Sequence, residues 1–214
     1  MFKICVVLMT IAIQPFQVNV NSNLAKAATN TNVKAKSTST RLSITKVKMP
    51  WYAWRGLVVR KMKKTLPKYN SLKNLTKKYY LFTSDYNYLG GIYTWASRQD
   101  AENWFNEEWF NTTERKYGEK GEVRHYEIIN EINYGKPSKS EGRFCAVLSF
   151  LSKDTALMLS EKDTGLLKVL TLKNEMNTIC FLSVWQTMDD AESHLKKYGI
   201  TNEYFDIPLI LNKE

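Results

Sequence analysis

Aspartate and glutamate are missing from the first fifty residues. Seven bases stand there (Lys3, Lys26, Lys34, Lys36, Arg41, Lys46 and Lys48), so they supply most of a net charge of +10. Beyond them acids and bases are interspersed. A basic leader on a nearly balanced body does not make the continuous cationic stripe that tracks phosphates, and nucleic acid is set aside as a partner. Also missing is any apolar run long enough to span a bilayer; Ile4 to Ile13 is too short. Two dispersed histidines, with no Cys-x-x-Cys and no His-Glu-x-x-His, leave no dedicated metal site to expect. There is no Gly-x-Ser-x-Gly elbow, and Gly90-Gly91 is a lone pair rather than a phosphate loop.

What remains is substantial. Hydrophobic residues make up 43% of the chain and aromatics 13%, ample for a packed core. Lys3, the apolar run and Ala25-Lys26-Ala27 have the order of a signal peptide over residues 1–27, which implies a secreted or periplasmic protein with no membrane span in its mature form. Residues 28–50 are rich in Asn, Thr, Ser, Lys and Ala. They read as a flexible basic linker, unable to bury enough surface to offset their ordering entropy. Removing the leader removes Cys5 and leaves Cys145 and Cys180, both in apolar strand-like runs, where free buried thiols are expected over a disulfide.

Self-comparison sets the architecture. Trp95-Ala-Ser97-Arg-Gln-Asp100-Ala-Glu102 matches Trp185-Gln-Thr187-Met-Asp-Asp190-Ala-Glu192. In each, an apolar run ends in Trp, a hydroxyl follows two residues on, and Asp stands three further. That is the pattern of a strand feeding an N-capped helix. Val123 to Ile128 matches Asn202 to Ile207. Gly56–Arg60 and Phe144–Phe150 are first-strand candidates, Lys78–Phe82 and Leu166–Leu170 second-strand candidates. Leu66 to Leu75 and Asp154 to Glu161 read as the helices between them. Each half is thus predicted as a ferredoxin-like βαββαβ repeat, over 51–135 and, in degenerate form, over 142–214, the class being α+β. Two such sheets in one chain can face each other and close an intrachain α+β barrel. The expected state is a monomer with an internal pseudo-dimer, or a homodimer.

The stretch from Gly90 to Phe110 holds six aromatics in twenty-one positions. An uninterrupted helix from Ala101 would place Glu108 in the middle of its buried face. A break capped by Asn106 puts Glu107 and Glu108 in a first turn instead. Leu89 to Trp104, Glu107-Glu-Trp109, Arg115-Lys-Tyr-Gly118 and Glu122 to Tyr126 together resemble the YdhR-like mono-oxygenases of the dimeric α+β barrel superfamily. The resemblance covers about residues 52–134 and is weak over 142–214.

The resemblance implies an oxygenase acting without a cofactor on a planar hydrophobic substrate such as a quinol or polycyclic aromatic. Haem-degrading members of that superfamily place a ligating His ten residues after a helix Trp. Here Trp104 is followed at that distance by Glu114, which argues against haem by that route; His194 in the second half is the remaining candidate for a haem contact. The candidate catalytic residues are His125, as proton acceptor with Glu127 as its orienting partner, and Trp104. The candidate substrate-binding residues are Trp104, Trp109, Tyr80, Arg124 and Arg60. Trp95 and Trp109 read first as interior packing and His125 first as a structural strand residue, while the arginines read also as complements to surface acids. The alternative function is a non-catalytic secreted module that binds an apolar or haem-like ligand in the same pocket.

Overall fold

The computed structural model describes residues 40–137, 139–150, 159–198 and 201–213. The expected signal peptide lies outside the described residues, as does most of the helix expected from Asp154 to Glu161.

Eight strands form one closed antiparallel barrel. In chain order the elements are β1 (Arg41–Lys48), α1 (Arg55–Asn70), β2 (Leu75–Thr83), β3 (Tyr88–Trp95), α2 (Arg98–Trp104), α3 (Glu107–Tyr117), β4 (Glu122–Asn133), β5 (Glu141–Phe150), β6 (Leu166–Asn174), β7 (Ile179–Trp185), α4 (Met188–Leu195) and β8 (Thr201–Asn212). Around the barrel the order is β1-β3-β2-β8-β5-β7-β6-β4. The four strands before Asn133 lie side by side as β4-β1-β3-β2, and the four after Glu141 as β8-β5-β7-β6. The two sets meet at β2–β8 and β4–β6.

The first strand is a correction to the sequence reading. Arg41–Lys48 falls within the stretch expected to be a linker, yet it is ladder-paired on both sides. Leu42 and Ile44 alternate into the barrel core, while Ser43 and Thr45 are buried on the other face, beneath helices. A strand covered on both faces needs no polar side, so small hydroxyl residues take the helix-facing positions. Gly56–Arg60, expected as the first strand, is instead the start of α1. Its β-branched Val58 belongs to an i, i+4 pair with Met62 that packs on Tyr80, Phe82 and Leu209, a helical period rather than a strand period. Helix α1 ends at Asn70, short of the expected Leu75, which opens β2.

The helix starts follow the sequence pattern. The Ser97 and Thr187 hydroxyls accept from the Asp100 and Asp190 N–H groups at 3.2 and 3.1 Å, and each donates to the Asp carboxylate. Between α2 and α3 the chain breaks at Asn106, whose side chain accepts from the Trp109 N–H at 3.1 Å. Gly118 ends α3 in the left-handed region with φ of 83°. Cys145 and Cys180 are free and buried on opposite faces of the barrel wall, and burial pushes their thiols up to about 12 and about 11.

The barrel interior is filled with side chains, among them Leu81, Ile92, Tyr126, Leu148, Leu182, Phe205 and Ile207. Outside it, α1, α2 with α3, and α4 each cover a cluster of their own. One ion pair ties α1 to the β2–β8 seam. Arg55 donates to both oxygens of Asp206 at 2.7 and 3.2 Å, and the Tyr86 hydroxyl donates to the same carboxylate at 3.1 Å. Arg55→Ala leaves that buried carboxylate without its cation. It is expected to lower the unfolding free energy by about 3 kcal/mol, measured by urea unfolding. A loss below about 1 kcal/mol would rank the pair with ordinary surface bridges.

Candidate functional site

Strand alternation and an unoccupied width between helices create the site. On β2, Tyr79 and Leu81 point into the barrel, so Lys78, Tyr80 and Phe82 point outward under α1. On β3, Ile92 points inward, so Gly91, Tyr93 and Trp95 share the outer face. Over this face α1 and α3 diverge, leaving a cavity of about 340 Å³. Thr45, Lys78, Tyr80 and Tyr93 rise from the sheet into it. Tyr69 of α1, Trp104 of α2, and Trp109 and Thr113 of α3 wall it.

Lys78 is the residue that the sequence reading missed. It is 2% exposed. Its Nζ lies 3.1 Å from the centroid of the Tyr69 ring, 4.0 Å from Tyr80 and 4.5 Å from Tyr93. Among the described residues it makes no ion pair, and the charged group acting on it is another cation, Lys68. Burial, reinforced by Lys68, pushes its ammonium well below the ordinary lysine range. Three ring faces give it cation–π stabilisation when charged, but that does not replace lost water. A neutral, basic amine is therefore accessible much nearer neutrality than for a surface lysine. Room for it comes from Gly91, where a Cβ would stand 3.1 Å from Lys78 Cε and 2.8 Å from the Tyr93 ring. The neighbouring phenols stay protonated: burial pushes Tyr80 up to about 12 and raises Tyr69 and Tyr93 as well.

The expected residues divide. Trp104, Trp109 and Tyr80 come together in the cavity wall. The indole N–H of Trp104 is buried, with no hydrogen-bond partner among the described residues. Tyr80 is held by a 2.7 Å hydrogen bond with the Thr65 hydroxyl. His125 is not brought to the cavity. Its Nδ1 is 2.9 Å from the Ser43 hydroxyl, its ring rests near Phe105, and burial together with Arg41 lowers its pKa. Glu127 does not orient it, being paired with Lys173 at 3.0 Å. Arg124 is engaged by Glu203 at 2.7 Å and Glu122 at 2.9 Å, and Arg60 is exposed on α1; neither lines the cavity.

Glu114 lines a shallow outer cleft with Glu107 and Glu108. His194 stacks on Trp185 with ring centroids 5.4 Å apart, and its Nδ1 lies 2.8 Å from the Asp190 carbonyl oxygen. Among the described residues, the cavity wall presents neither an imidazole nor a thiol.

A larger opening of about 900 Å³ lies at one barrel mouth, floored by Tyr79, Leu167, Val184 and Ile210. Two of its charged groups are already paired, Lys168 with Glu131 and Glu141 with Lys63. The smaller aromatic cavity has both enclosure and chemistry, and it is the candidate site.

No family model matches the chain, and no curated protein matches it. Solved structures do. One is a "putative monooxygenase" from Fusobacterium nucleatum subsp. nucleatum, with a TM-score of 0.52 and 10% identity, over 83% of this chain and 96% of that one. Another, described as an anthrone oxidase-like protein, has a TM-score of 0.54 and 10% identity, over 82% and 94%. At this identity the likeness is one of fold: the chain has a monooxygenase-like barrel.

A buried lysine leaves a pH signature in stability. The folded state binds the Lys78 proton less tightly than the unfolded chain, whose lysine titrates near 10.5. Between the depressed value and 10.5 the unfolded state holds more protons, so stability rises with pH through that window. Lys78→Met is expected to be more stable than the parent at neutral pH, with the gap closing as pH approaches 10.5. Denaturant unfolding at a series of pH values reads this out. A gap that does not change with pH would mean that Lys78 is not depressed.

Proposed function

We propose that the chain is a monooxygenase of the YdhR-like, dimeric α+β-barrel type that oxidises a planar aromatic substrate without a bound cofactor, with Lys78 as its base. The observation that carries this reading is the desolvated Lys78 amine inside a cavity walled by Tyr69, Tyr80, Tyr93, Trp104 and Trp109. The architecture is read as two ferredoxin-like repeats in one polypeptide. The matching strand orders β4-β1-β3-β2 and β8-β5-β7-β6 support this, as do solved single chains covered almost end to end. The leader over residues 1–27 supports a secreted or periplasmic location.

The chemistry fits an anthrone-type methylene flanked by aromatic rings. The neutral Lys78 amine takes one C–H proton, and the resulting carbanion is delocalised across rings stacked on Trp104. The carbanion gives one electron to O2, and the radical pair combines to a peroxide that takes the proton back from Lys78. Loss of the remaining C–H proton with cleavage of the O–O bond leaves the carbonyl and water. The methylene is oxidised by four electrons and O2 reduced by four, so no external reductant is required.

Oxygen uptake with a panel of anthrones and quinols tests the reading. Lys78→Met is expected to lower kcat by about 10²- to 10⁴-fold, whereas His125→Ala stays within about twofold, since its ring is outside the cavity. The parent's kcat rises with pH through the depressed Lys78 value, and that limb disappears in the variant. Equal turnover by the Lys78 variant would overturn the assignment of the base. Tight binding of these compounds with no oxygen uptake would instead favour the ligand-binding module.

A further inference from the structure

The cavity rim carries a surface that neither the fold nor the proposed reaction requires. Pro50 to Ala53 form a tight turn, closed by the Ala53 N–H on the Pro50 carbonyl at 2.8 Å and tied down by the Met49 N–H on the Asn87 carbonyl at 2.8 Å. Trp51 and Tyr52 stand at its corners, 95% and 59% exposed, their rings edge to face at 5.8 Å. Trp54, immediately before α1, is 67% exposed. Two large aromatics on the anchored turn and a third directly after it keep their apolar faces in water.

Helix α1 continues the surface. It contains Arg55, Arg60, Lys61, Lys63, Lys64 and Lys68 and no acid. Asp206 engages Arg55 and Glu141 engages Lys63. Lys61, Lys64 and Lys68 recur at i, i+3 and i+7, one stripe along the helix, and all three are exposed. Lys61, Lys68 and Tyr52 line the cavity, Lys68 with its Nζ 5.1 Å from the Trp104 ring centroid, and exposed Lys116 of α3 lines it too. The α3 acids Glu107, Glu108 and Glu114 line the separate cleft and stay off it.

We infer that this face docks on an anionic lipid surface, with Trp51, Tyr52 and Trp54 seated at the headgroup level and the Lys61–Lys64–Lys68 stripe against the phosphates. Tryptophan and tyrosine favour that interface because one part of the ring system is apolar and another carries a polar N–H or O–H. Lysines near a negatively charged leaflet add attraction that salt screens. The arrangement also distinguishes a membrane from a nucleic-acid strand. A strand-binding groove interleaves stacking aromatics along its basic track, whereas here they are gathered at one end, on a protruding turn. Docked this way, the cavity mouth faces the bilayer, the phase in which a planar hydrophobic molecule concentrates. The docking surface stands independently of the oxygenase reading.

Co-sedimentation of the full chain with vesicles tests it, using phosphatidylcholine alone against phosphatidylcholine mixed with an equal part of phosphatidylglycerol. Binding is expected to be at least about tenfold tighter on the anionic vesicles and to weaken as salt rises. The Trp51→Ala, Trp54→Ala double variant and the Lys61→Glu, Lys64→Glu double variant should each lose about tenfold while melting with the parent, because these side chains lie outside the core. Brominated lipid should quench the parent's tryptophan emission more than that of a Trp51→Phe, Trp54→Phe variant. Variants that bind as well as the parent would overturn the inference, as would equal binding to neutral vesicles. So would binding to single-stranded oligothymidylate, but not to vesicles, through the same residues.

Discussion

Closure of the barrel at β2–β8 and β4–β6 is the constraint from which the rest follows. Each set of four strands alone has two open edges, and an open edge presents unpaired N–H and C=O groups. Joining them pairs every strand on both sides and encloses Leu81, Leu148, Phe205 and Ile207 in a shared interior. The inner faces then bury each other, so covering the outer faces falls to the helices. Asp206 sits at the β2–β8 seam opposite Phe82, and its grip on Arg55 fixes the start of α1 over that seam. With α1 anchored there and α3 set by its cap at Asn106, the outer face of β1–β3–β2 is roofed from two sides but not filled.

That unfilled width is where Lys78 lies. A packing role is a poor account of a lysine at 2% exposure that makes no ion pair among the described residues. Methionine would fill a similar volume, touch the same rings and avoid the desolvation of an ammonium. Glycine at position 91, opposite Tyr80 on the ladder, sacrifices strand stability to leave space for the lysine and for Tyr93. Two unfavourable local choices converge on one cavity. Perturbed bases gather where chemistry needs them, and the surrounding tyrosines, with their phenols raised by burial, remain donors rather than competing bases.

The sequence made the second helix region legible because its signals are local. Ser97, Thr187 and Asn106 cap helices through hydrogen bonds spanning three residues, and no distant partner decides them. The strands ending in Trp95 and Trp185 were legible for a similar reason. Strand β1 was not. Its helix-facing positions are Ser43 and Thr45, which look like tether residues until another element covers them. In α1, Val58 and Val59 suggested a strand, and only the tertiary packing of Val58 with Met62 resolves the period as helical. His125 was named as a proton acceptor, and it lies on the outer side of its strand, near Phe105. Yet β4 is separated from β3 by β1, and the cavity spans β1, β3 and β2, so Ser43 takes up the imidazole instead. The signal for Lys78 was present: a lysine in phase with Tyr80 and Phe82 on a strand whose outer face is otherwise aromatic.

The two halves differ where it counts for chemistry, as their tryptophan-ended strands make plain. Two residues before Trp95 stands Tyr93, opposite Lys78 on the ladder; two before Trp185 stands Ser183, opposite Val169. Ser183 accepts from the Trp185 indole N–H at 2.8 Å, whereas the Trp95 N–H is buried without a partner. Beneath α4, Val169, Cys145, Met188 and Leu195 crowd around Trp185, and His194 stacks against it. Burial raises the phenols of Tyr134 and Tyr204 there too, so the difference between the halves rests on the buried amine of Lys78. A chain carrying two similar strand orders therefore holds the buried amine and its aromatic cavity in the half before Asn133, while the half after Glu141 closes the barrel.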